Sequence, residues 1–170
     1  NIKHFTQMAY DDIAGRRGAM DFYCAISGLE QAMWDITGKK LGVPVHQLLG
    51  GACRDKIRVY ANGWSEGAKT PDALAEKASQ VIEMGFTAIK FDPIPGPWRN
   101  YVSREVEEAA VENVAAVRQA VGPDVEILVE MHRRLAPMHT VRIAKNIEQF
   151  RPFWYEEPVL AENVDALAAV

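Results

Sequence analysis

From residue 56 onward, short apolar runs alternate with helical patterns, and this alternation constrains the fold more than any other feature of the sequence. Four apolar runs are predicted to be strands: IRVYA (57–61), FTAIKF (86–91), VEILVE (125–130) and PFWYEE (152–157). Strands that alternate with helices in this way pair in parallel, with the helices packed against the sheet. The sequence therefore predicts an α/β fold with a parallel sheet.

The helices between these strands have recognisable start and stop signals. Thr70 and Pro71 suit the N-cap and the first position of a helix. A second helix is predicted for residues 104–121, ended by Gly122, and a third begins at Pro137. Helical spacing predicts the inward-facing residues of the three helices: Leu74, Ala78, Val81 and Ile82; Val106, Ala110, Val114, Val117 and Val121; Val141, Ala144 and Ile147.

Residues 1–55 lack this alternation and are predicted to be mainly helical. Their apolar residues recur at three- and four-residue steps, the spacing of one helix face: Ala25, Leu29, Ala32, Met33 and Ile36. Gly38 is predicted to end this helix, and a short helix is predicted for residues 44–49. We therefore divide the chain into residues 1–55 and residues 56–170.

The number of strand–helix units limits which α/β architectures the chain can form. A closed barrel of eight units needs about 250 residues. Four units in 170 residues leave two alternatives, the first half of such a barrel or an open, doubly wound sheet. No Gly-x-Gly-x-x-Gly motif follows the first predicted strand, which argues against a dinucleotide-binding fold. The sequence begins without Met and stops within a helical pattern, so we expect a fragment of a longer protein.

The composition argues against several classes of partner. The formal net charge is −4 and the isoelectric point is about 5.6, so we expect neither nucleic acid nor an anionic membrane as a partner. No apolar run reaches the roughly 18 residues that a transmembrane helix needs, and the first residues carry no signal-peptide core. Cys24 and Cys53 form neither a metal-type pair nor a disulfide framework. We therefore expect a reducing, cytoplasmic setting.

Ionisable residues stand where three of the four predicted strands end. Reactive side chains of parallel α/β folds collect at the carboxyl ends of the strands. The residues at these positions are Lys90 and Asp92 after the second strand, Glu130 and His132 after the third, and Glu156 and Glu157 after the fourth. The first strand is followed by Asn62 and Trp64. We therefore predict the functional site at this edge of the sheet.

The acidic residues at the strand ends indicate a cation. Glu130 ends an apolar strand, and a buried carboxylate is costly unless it is paired or bound to a cation. A salt bridge to Lys90 or to a following arginine explains this position equally well. Glu156 and Glu157 should point to opposite faces of their strand. Two inward carboxylates repel each other unless a cation lies between them, and hard cations such as Mg²⁺ prefer oxygen ligands.

His132, Lys90 and Asp92 each admit a functional and a structural interpretation. His132 lies two residues beyond Glu130, so its side chain points the same way if the strand continues, and an imidazole suits general acid–base catalysis. A lone histidine is, however, more often a structural residue. Lys90 either stabilises an anionic substrate or pairs with Glu130. Asp92 either pairs with Lys90 or accepts hydrogen bonds from substrate hydroxyls.

Four segments in the right order resemble the mandelate racemase branch of the enolase superfamily. Residues 25–51 (AISGLEQAMWDITGKKLGVPVHQLLGG) resemble the end of its capping domain. GFTAIKFDP, VEMHRRLAP and WYEEPVLAEN, which begin at Gly85, Val129 and Trp154, are similar to its second, third and fourth barrel strands. The resemblance implies that residues 1–55 are the helical end of an α+β capping domain. Residues 56–170 would be the first half of a TIM-like (β/α)7β barrel.

The resemblance also implies a Mg²⁺ site. In that family, one carboxylate from each of the third, fourth and fifth barrel strands binds Mg²⁺. This carries a ligand role to Glu130 and to Glu156, which are 26 positions apart, as is typical of the first two ligands. Glu130 departs from the more usual Asp but keeps the charge. The third ligand is expected beyond Val170.

The family's chemistry removes a proton next to a carboxylate and gives an enediolate that the metal stabilises. Many racemases and cycloisomerases of the family carry Lys-x-Lys on the second strand, where this sequence has Lys90, Phe91 and Asp92. A histidine two residues after the first metal ligand instead resembles the sugar-acid dehydratases, in which it is the general acid that helps the 3-hydroxyl leave as water. The resemblance implies this role for His132, with the base on a later strand.

We therefore interpret the sequence as part of a Mg²⁺-dependent sugar-acid dehydratase that produces a 2-keto-3-deoxy acid. The candidate residues are His132 and Lys90 for catalysis, Glu130 and Glu156 for Mg²⁺, and Asp92, Arg134 and Trp64 for substrate binding. Arg134 suits a structural ion pair equally well, and the loop of residues 93–101 either lines the pocket or is a surface loop. The alternatives are a racemase, epimerase or cycloisomerase of the same family, and a catalytically incomplete fragment. The expected partners are a small sugar acid and further copies of the chain in a homo-oligomer.

Overall fold

The computed structural model describes residues 1–14, 19–97 and 99–170, and this part of the chain forms two compact units. The first unit comprises Asn1–Ile57 and the second Arg58–Val170. No helix in the described ranges combines the length and the apolar character needed to cross a membrane. The assignment of the two units to a capping domain and a barrel domain stays a prediction.

The first unit consists of helices. They are α1 (Ile2–Ala9), a π-helical turn (Tyr10–Ala14), α2 (Met20–Leu41) and α3 (Val45–Leu48). The predicted end of α2 at Gly38 is wrong, because the helix continues to Leu41 and ends at Gly42, which has the left-handed conformation of a C-cap (φ 70°). Gly38 serves a different purpose, since a Cβ atom there would lie 2.7 Å from the carbonyl oxygen of Val43.

The second unit alternates helices and strands. Its elements are α4 (Pro71–Glu83), β1 (Ala88–Phe91), α5 (Arg104–Val121), β2 (Glu126–Glu130), α6 (Pro137–Ile147), a 3₁₀ turn (Glu148–Phe150), β3 (Trp154–Glu156) and α7 (Val164–Ala169). The predicted start of α4 is confirmed: the Thr70 hydroxyl accepts a hydrogen bond from the Ala73 N–H at 3.2 Å, and Pro71 is the first helical residue.

The three strands pair in parallel in the order β1-β2-β3, which confirms the predicted α/β fold with a parallel sheet. The predicted strand at residues 57–61 is wrong. Within this run only Ala61 joins the sheet, through a bridge to Ile89. The Ala61 N–H donates to the Ala88 carbonyl and the Ala61 carbonyl accepts from the Lys90 N–H, both at 2.9 Å. Ile57 and Val59 are exposed, so these two residues add little apolar burial to stabilise a longer strand.

The two faces of the sheet differ because side chains alternate along each strand. One face packs against the helices and is fully apolar; it contributes Ile89, Phe91, Ile127, Val129 and Met131 to the core. Helix α6 packs against it through Ile143 and Ile147, whereas the predicted inward residue Val141 is only partly buried. The opposite face carries Lys90, Leu128 and Glu130, and it therefore positions the charged groups of the candidate site.

Candidate active site

Glu130 and Glu156 lie side by side at the carboxyl ends of adjacent strands. They are register partners between β2 and β3, so both side chains project from the same face of the sheet. The Nζ atom of Lys90, on β1, lies 3.0 Å from Oε2 of Glu130 and 2.5 Å from Oε1 of Glu156. The two carboxylate oxygens can be no farther apart than the sum of these distances. The structure thus brings all three predicted residues to one point.

Burial and ion pairing have opposite effects on the pKa values of Lys90 and Glu130, and for both groups the effect of hydrogen bonding and ion pairing is the larger. Burial lowers the pKa of the Lys90 ammonium, but hydrogen bonds to Glu156 and Glu130 raise it above its ordinary value. Burial raises the pKa of Glu130, but the His132 N–H and Lys90 lower it below its ordinary value. Lys90 and Glu130 therefore carry their charges near neutral pH.

The chain turns sharply after Glu130, where the strand ends, so the condition under which His132 would point the same way as Glu130 is not met. His132 and Arg133 both have positive φ angles (50° and 47°), a left-handed conformation that costs about 1–2 kcal/mol for a residue with a Cβ atom. Hydrogen bonds stabilise the turn: the His132 N–H donates to Oε1 of Glu130 at 2.9 Å, and the Arg133 N–H donates to the Glu157 carbonyl at 2.7 Å. Strain of this kind is concentrated at functional sites.

Glu157 takes a different direction from Glu156. It follows β3 with a positive φ of 46°, and its carboxylate lies 3.5 Å from Nε of Arg133. Glu156 instead contacts Lys90 and accepts a hydrogen bond from the Trp154 indole at 3.2 Å. The two adjacent acids therefore have separate partners, and Glu156 is the one that reaches the cluster.

Asp92 and Arg134 lie in the loops that follow β1 and β2. The Arg134 Nη2 atom donates to both carboxylate oxygens of Asp92 at 2.6 Å. The Asp92 Oδ2 atom lies 3.1 Å from Nδ1 of His132. Of the two alternatives for Asp92, the pairing with Lys90 is not found: the Lys90 ammonium contacts Glu130 and Glu156, and Asp92 contacts Arg134 and His132.

Trp64 is not brought to this cluster. Its ring packs against Phe91, with the ring centroids 5.2 Å apart, and Phe91 lies on the face of the sheet opposite to Lys90. Its assignment to substrate binding stays a prediction. The loop of residues 93–101 includes Trp98, which lies outside the described residues.

Two aromatic residues near the cluster were not among the predicted site residues. The Lys90 ammonium lies 5.6 Å from the centre of the Tyr60 ring, a distance at which cation–π attraction operates. Tyr60 in turn meets Trp154 edge to face, with centroids 6.0 Å apart. Trp154 could have been found from the sequence, because it lies two positions before Glu156 and so shares its face of the strand. Tyr60 could not, because the run that contains it does not form a strand.

The donor set at the strand ends fits a hard divalent cation. Glu130 and Glu156 offer carboxylate oxygens, which Mg²⁺ prefers, and they already converge on one positive charge, the ammonium of Lys90. Across residues 1–14, 19–97 and 99–170, no group of three or more His, Cys, Asp or Glu side chains is arranged to hold a metal ion. The described residues therefore provide two candidate ligands.

Comparisons with known proteins agree with the resemblance. Residues 73–170 match the family model described as enolase C-terminal domain-like, and residues 1–50 match the N-terminal domain of mandelate racemase / muconate lactonizing enzyme. The chain is 46% identical over 141 residues to D-gluconate dehydratase of Thermoproteus tenax, covering 83% of this chain and 28% of the relative. It is 42% identical over 149 residues to D-galactonate dehydratase of Verminephrobacter eiseniae, covering 88% of this chain and 38% of the relative.

Solved structures have the same fold. A member of the enolase superfamily from Salmonella Typhimurium superposes with a TM-score of 0.86 at 31% identity, covering 99% of this chain and 48% of that one. A mandelate racemase/muconate lactonizing enzyme from Jannaschia sp. CCS1 gives a TM-score of 0.86 at 32% identity, with coverages of 100% and 47%. The chain therefore spans less than half the length of these relatives. It belongs to the mandelate racemase and muconate lactonizing enzyme family of the enolase superfamily.

Proposed function

We propose that this chain is the first part of a Mg²⁺-dependent dehydratase that converts a sugar acid to a 2-keto-3-deoxy acid. One observation carries the proposal: Glu130 and Glu156 end neighbouring parallel strands on the same face and share the Lys90 ammonium. The relatives named D-gluconate dehydratase and D-galactonate dehydratase support an aldonate as substrate. The remainder of the barrel, with a third ligand and a base, is expected beyond Val170.

In this proposal Glu130 and Glu156 hold Mg²⁺, which when bound would neutralise negative charge that develops on the substrate carboxylate. The Lys90 ammonium, at the same point of the sheet, adds a fixed positive charge for the anionic substrate. Both roles rest on the convergence of these groups in a largely buried position, where charges act strongly because little water screens them.

His132 is proposed as the general acid that protonates the departing 3-hydroxyl. Imidazole side chains are common general acids in enzymes, and the His132 ring is partly exposed and lies 3.1 Å from the Asp92 carboxylate. The turn after β2 fixes its backbone next to Glu130. Loss of water distinguishes this reaction from racemisation, epimerisation or cycloisomerisation, which conserve the atoms of the substrate.

The direct test uses the full-length protein that carries this segment and a panel of aldonic and aldaric acids with Mg²⁺. We expect a 2-keto-3-deoxy product from at least one acid, identified by mass as the substrate less one water. Glu130→Gln and Glu156→Gln should lower both Mg²⁺ affinity and turnover by at least about 10-fold, because each removes a ligand charge. Calorimetric titration with Mg²⁺ measures the first effect.

Glu157→Gln is the matched control, because it neutralises an adjacent acid that pairs with Arg133 instead of Lys90. Its Mg²⁺ affinity should stay within about twofold of the parent. A product with the same mass as the substrate would contradict dehydration and would indicate one of the isomerisation reactions of the family. Unchanged Mg²⁺ affinity in both Glu130→Gln and Glu156→Gln would remove these residues from the metal site.

A further inference from the structure

The Arg134 side chain is hydrogen-bonded to other groups of the protein. It is buried, with 6% of the side chain exposed. Its Nη2 atom donates to both oxygens of the Asp92 carboxylate at 2.6 Å and to the carbonyl of Ile94 at 2.9 Å. A guanidinium engaged in this way would have to break buried, charge-assisted hydrogen bonds before it could bind a substrate carboxylate.

Asp92 links this guanidinium to the candidate general acid. Its Oδ2 atom lies 3.1 Å from Nδ1 of His132, and its Oδ1 atom accepts a second bond from the Ile94 N–H at 2.9 Å. An ionised carboxylate is an acceptor only, so the proton between these groups belongs to Nδ1 of His132. Proton exchange with a substrate then has to use Nε2.

The backbone gives a reason why such a support is needed. His132 lies in a turn with positive φ after its strand has ended, so the strand does not orient its side chain. The contact with Asp92 joins the ring to the loop after β1, and Arg134 holds Asp92 from the loop after β2. The three side chains therefore tie two loops together around the imidazole.

We propose that Arg134 and Asp92 are positioning residues for His132 and not substrate ligands, an inference that rests on the proposed dehydratase function. Arg134 fixes the Asp92 carboxylate, and Asp92 fixes the tautomer and the ring orientation of His132. Partners of this kind contribute to activity without touching the substrate.

The kinetic test uses Arg134→Ala, Arg134→Lys and Asp92→Asn in the full-length enzyme. Arg134→Ala and Asp92→Asn should lower kcat by about 10- to 100-fold and change KM by less than about threefold. Arg134→Lys should recover part of kcat, because an ammonium can still contact Asp92. The kcat of the double variant that combines Arg134→Ala with Asp92→Asn should be little lower than that of either single variant. Both changes break the same chain of contacts from Arg134 through Asp92 to His132.

Arg133→Ala is the matched control, because it removes the adjacent guanidinium, which is 59% exposed and pairs with Glu157. We expect its kcat to stay close to that of the parent. A large rise in KM at unchanged kcat for Arg134→Ala would instead identify Arg134 as a substrate ligand and overturn the proposal.

A spectroscopic measurement separates this inference from the proposed function. In ¹⁵N-histidine-labelled parent enzyme, the His132 signal, assigned by its loss in His132→Gln, should show a proton on Nδ1 at neutral pH. A bare Nδ1 would overturn the positioning role even in an active dehydratase. If no sugar acid is dehydrated while Nδ1 is protonated, the proposed function fails and the Asp92–His132 contact stands.

Discussion

Helices α2 and α5 are both long and both carry apolar residues at helical spacing, yet they differ in what they bury. In α5, Ala110, Val114 and Val117 are fully buried against the sheet and its neighbouring helices. In α2, Leu29 and Ile36 are 56% and 64% exposed, and Gly38 is the one residue described as buried. The difference teaches that helical periodicity predicts a helix, whereas its burial depends on chain segments far away in the sequence.

The largest effect on stability is expected from a substitution in the buried core of the second unit. Leu74 on α4 is 4% exposed, and replacing it with Ala should lower the free energy of unfolding by about 2–4 kcal/mol, because the lost contacts leave a cavity. Urea denaturation of the chain, followed by circular dichroism, measures the change. A loss below about 1 kcal/mol would mean that the core around α4 is loosely packed.

An intermediate effect is expected where α5 meets α6. Burial raises the pKa of Glu107, but hydrogen bonds from Arg142 and His139 outweigh it and lower the pKa below its ordinary value of 4.5. A lowered folded-state pKa stabilises the fold above the ordinary value, and this stabilisation is lost as the pH falls through the folded-state pKa. Glu107→Gln should therefore reduce the free energy of unfolding at pH 7 by roughly 1–2 kcal/mol.

The pH dependence is the decisive part of that measurement. The difference between the parent and Glu107→Gln should shrink in acid, once the parent carboxylate is itself protonated. Asp35→Asn in α2 is the control, because its ion pair with Lys39 is exposed and should contribute little. A difference for Glu107→Gln that is constant from pH 7 to pH 3 would contradict a role for its charge.

The smallest effect is expected from the change that matches the first one. Leu29→Ala removes the same atoms as Leu74→Ala, also from a helix, but from an exposed position. We expect the free energy of unfolding of the chain to change by less than about 0.5 kcal/mol. A loss above about 1 kcal/mol in the same urea experiment would show that this face of α2 is covered in solution. The contrast between α2 and the buried helices α4 and α5 would then no longer hold.

The sequence predicted the elements of the second unit well where local signals were strong. The bounds of α5, the Thr70 cap of α4 and the parallel pairing of three strands agree with the structure. The strand predicted for residues 57–61 did not form, because Ile57 and Val59 are exposed and only Ala61 bonds to the sheet. Local patterns thus sufficed for elements that end at Gly or Pro and are buried by their neighbours.

The candidate site was predictable in its position but less so in its contacts. Acids at the ends of parallel strands indicated where Glu130 and Glu156 would meet, because strand alternation and register fix such positions. The sharing of Lys90 by both acids could not be read from the sequence, since it depends on which strands are neighbours. The left-handed turn at His132 was also hidden, because a positive φ is uncommon for any residue other than glycine, even though histidine adopts it more often than most.

The turn at residues 132 and 133 has a consequence for sequence variation. Two successive left-handed residues disfavour β-branched side chains there regardless of what chemistry the position performs. Asparagine, aspartate and glycine adopt this backbone most readily. Substitution at these two positions is therefore restricted first by backbone geometry and only then by the reaction.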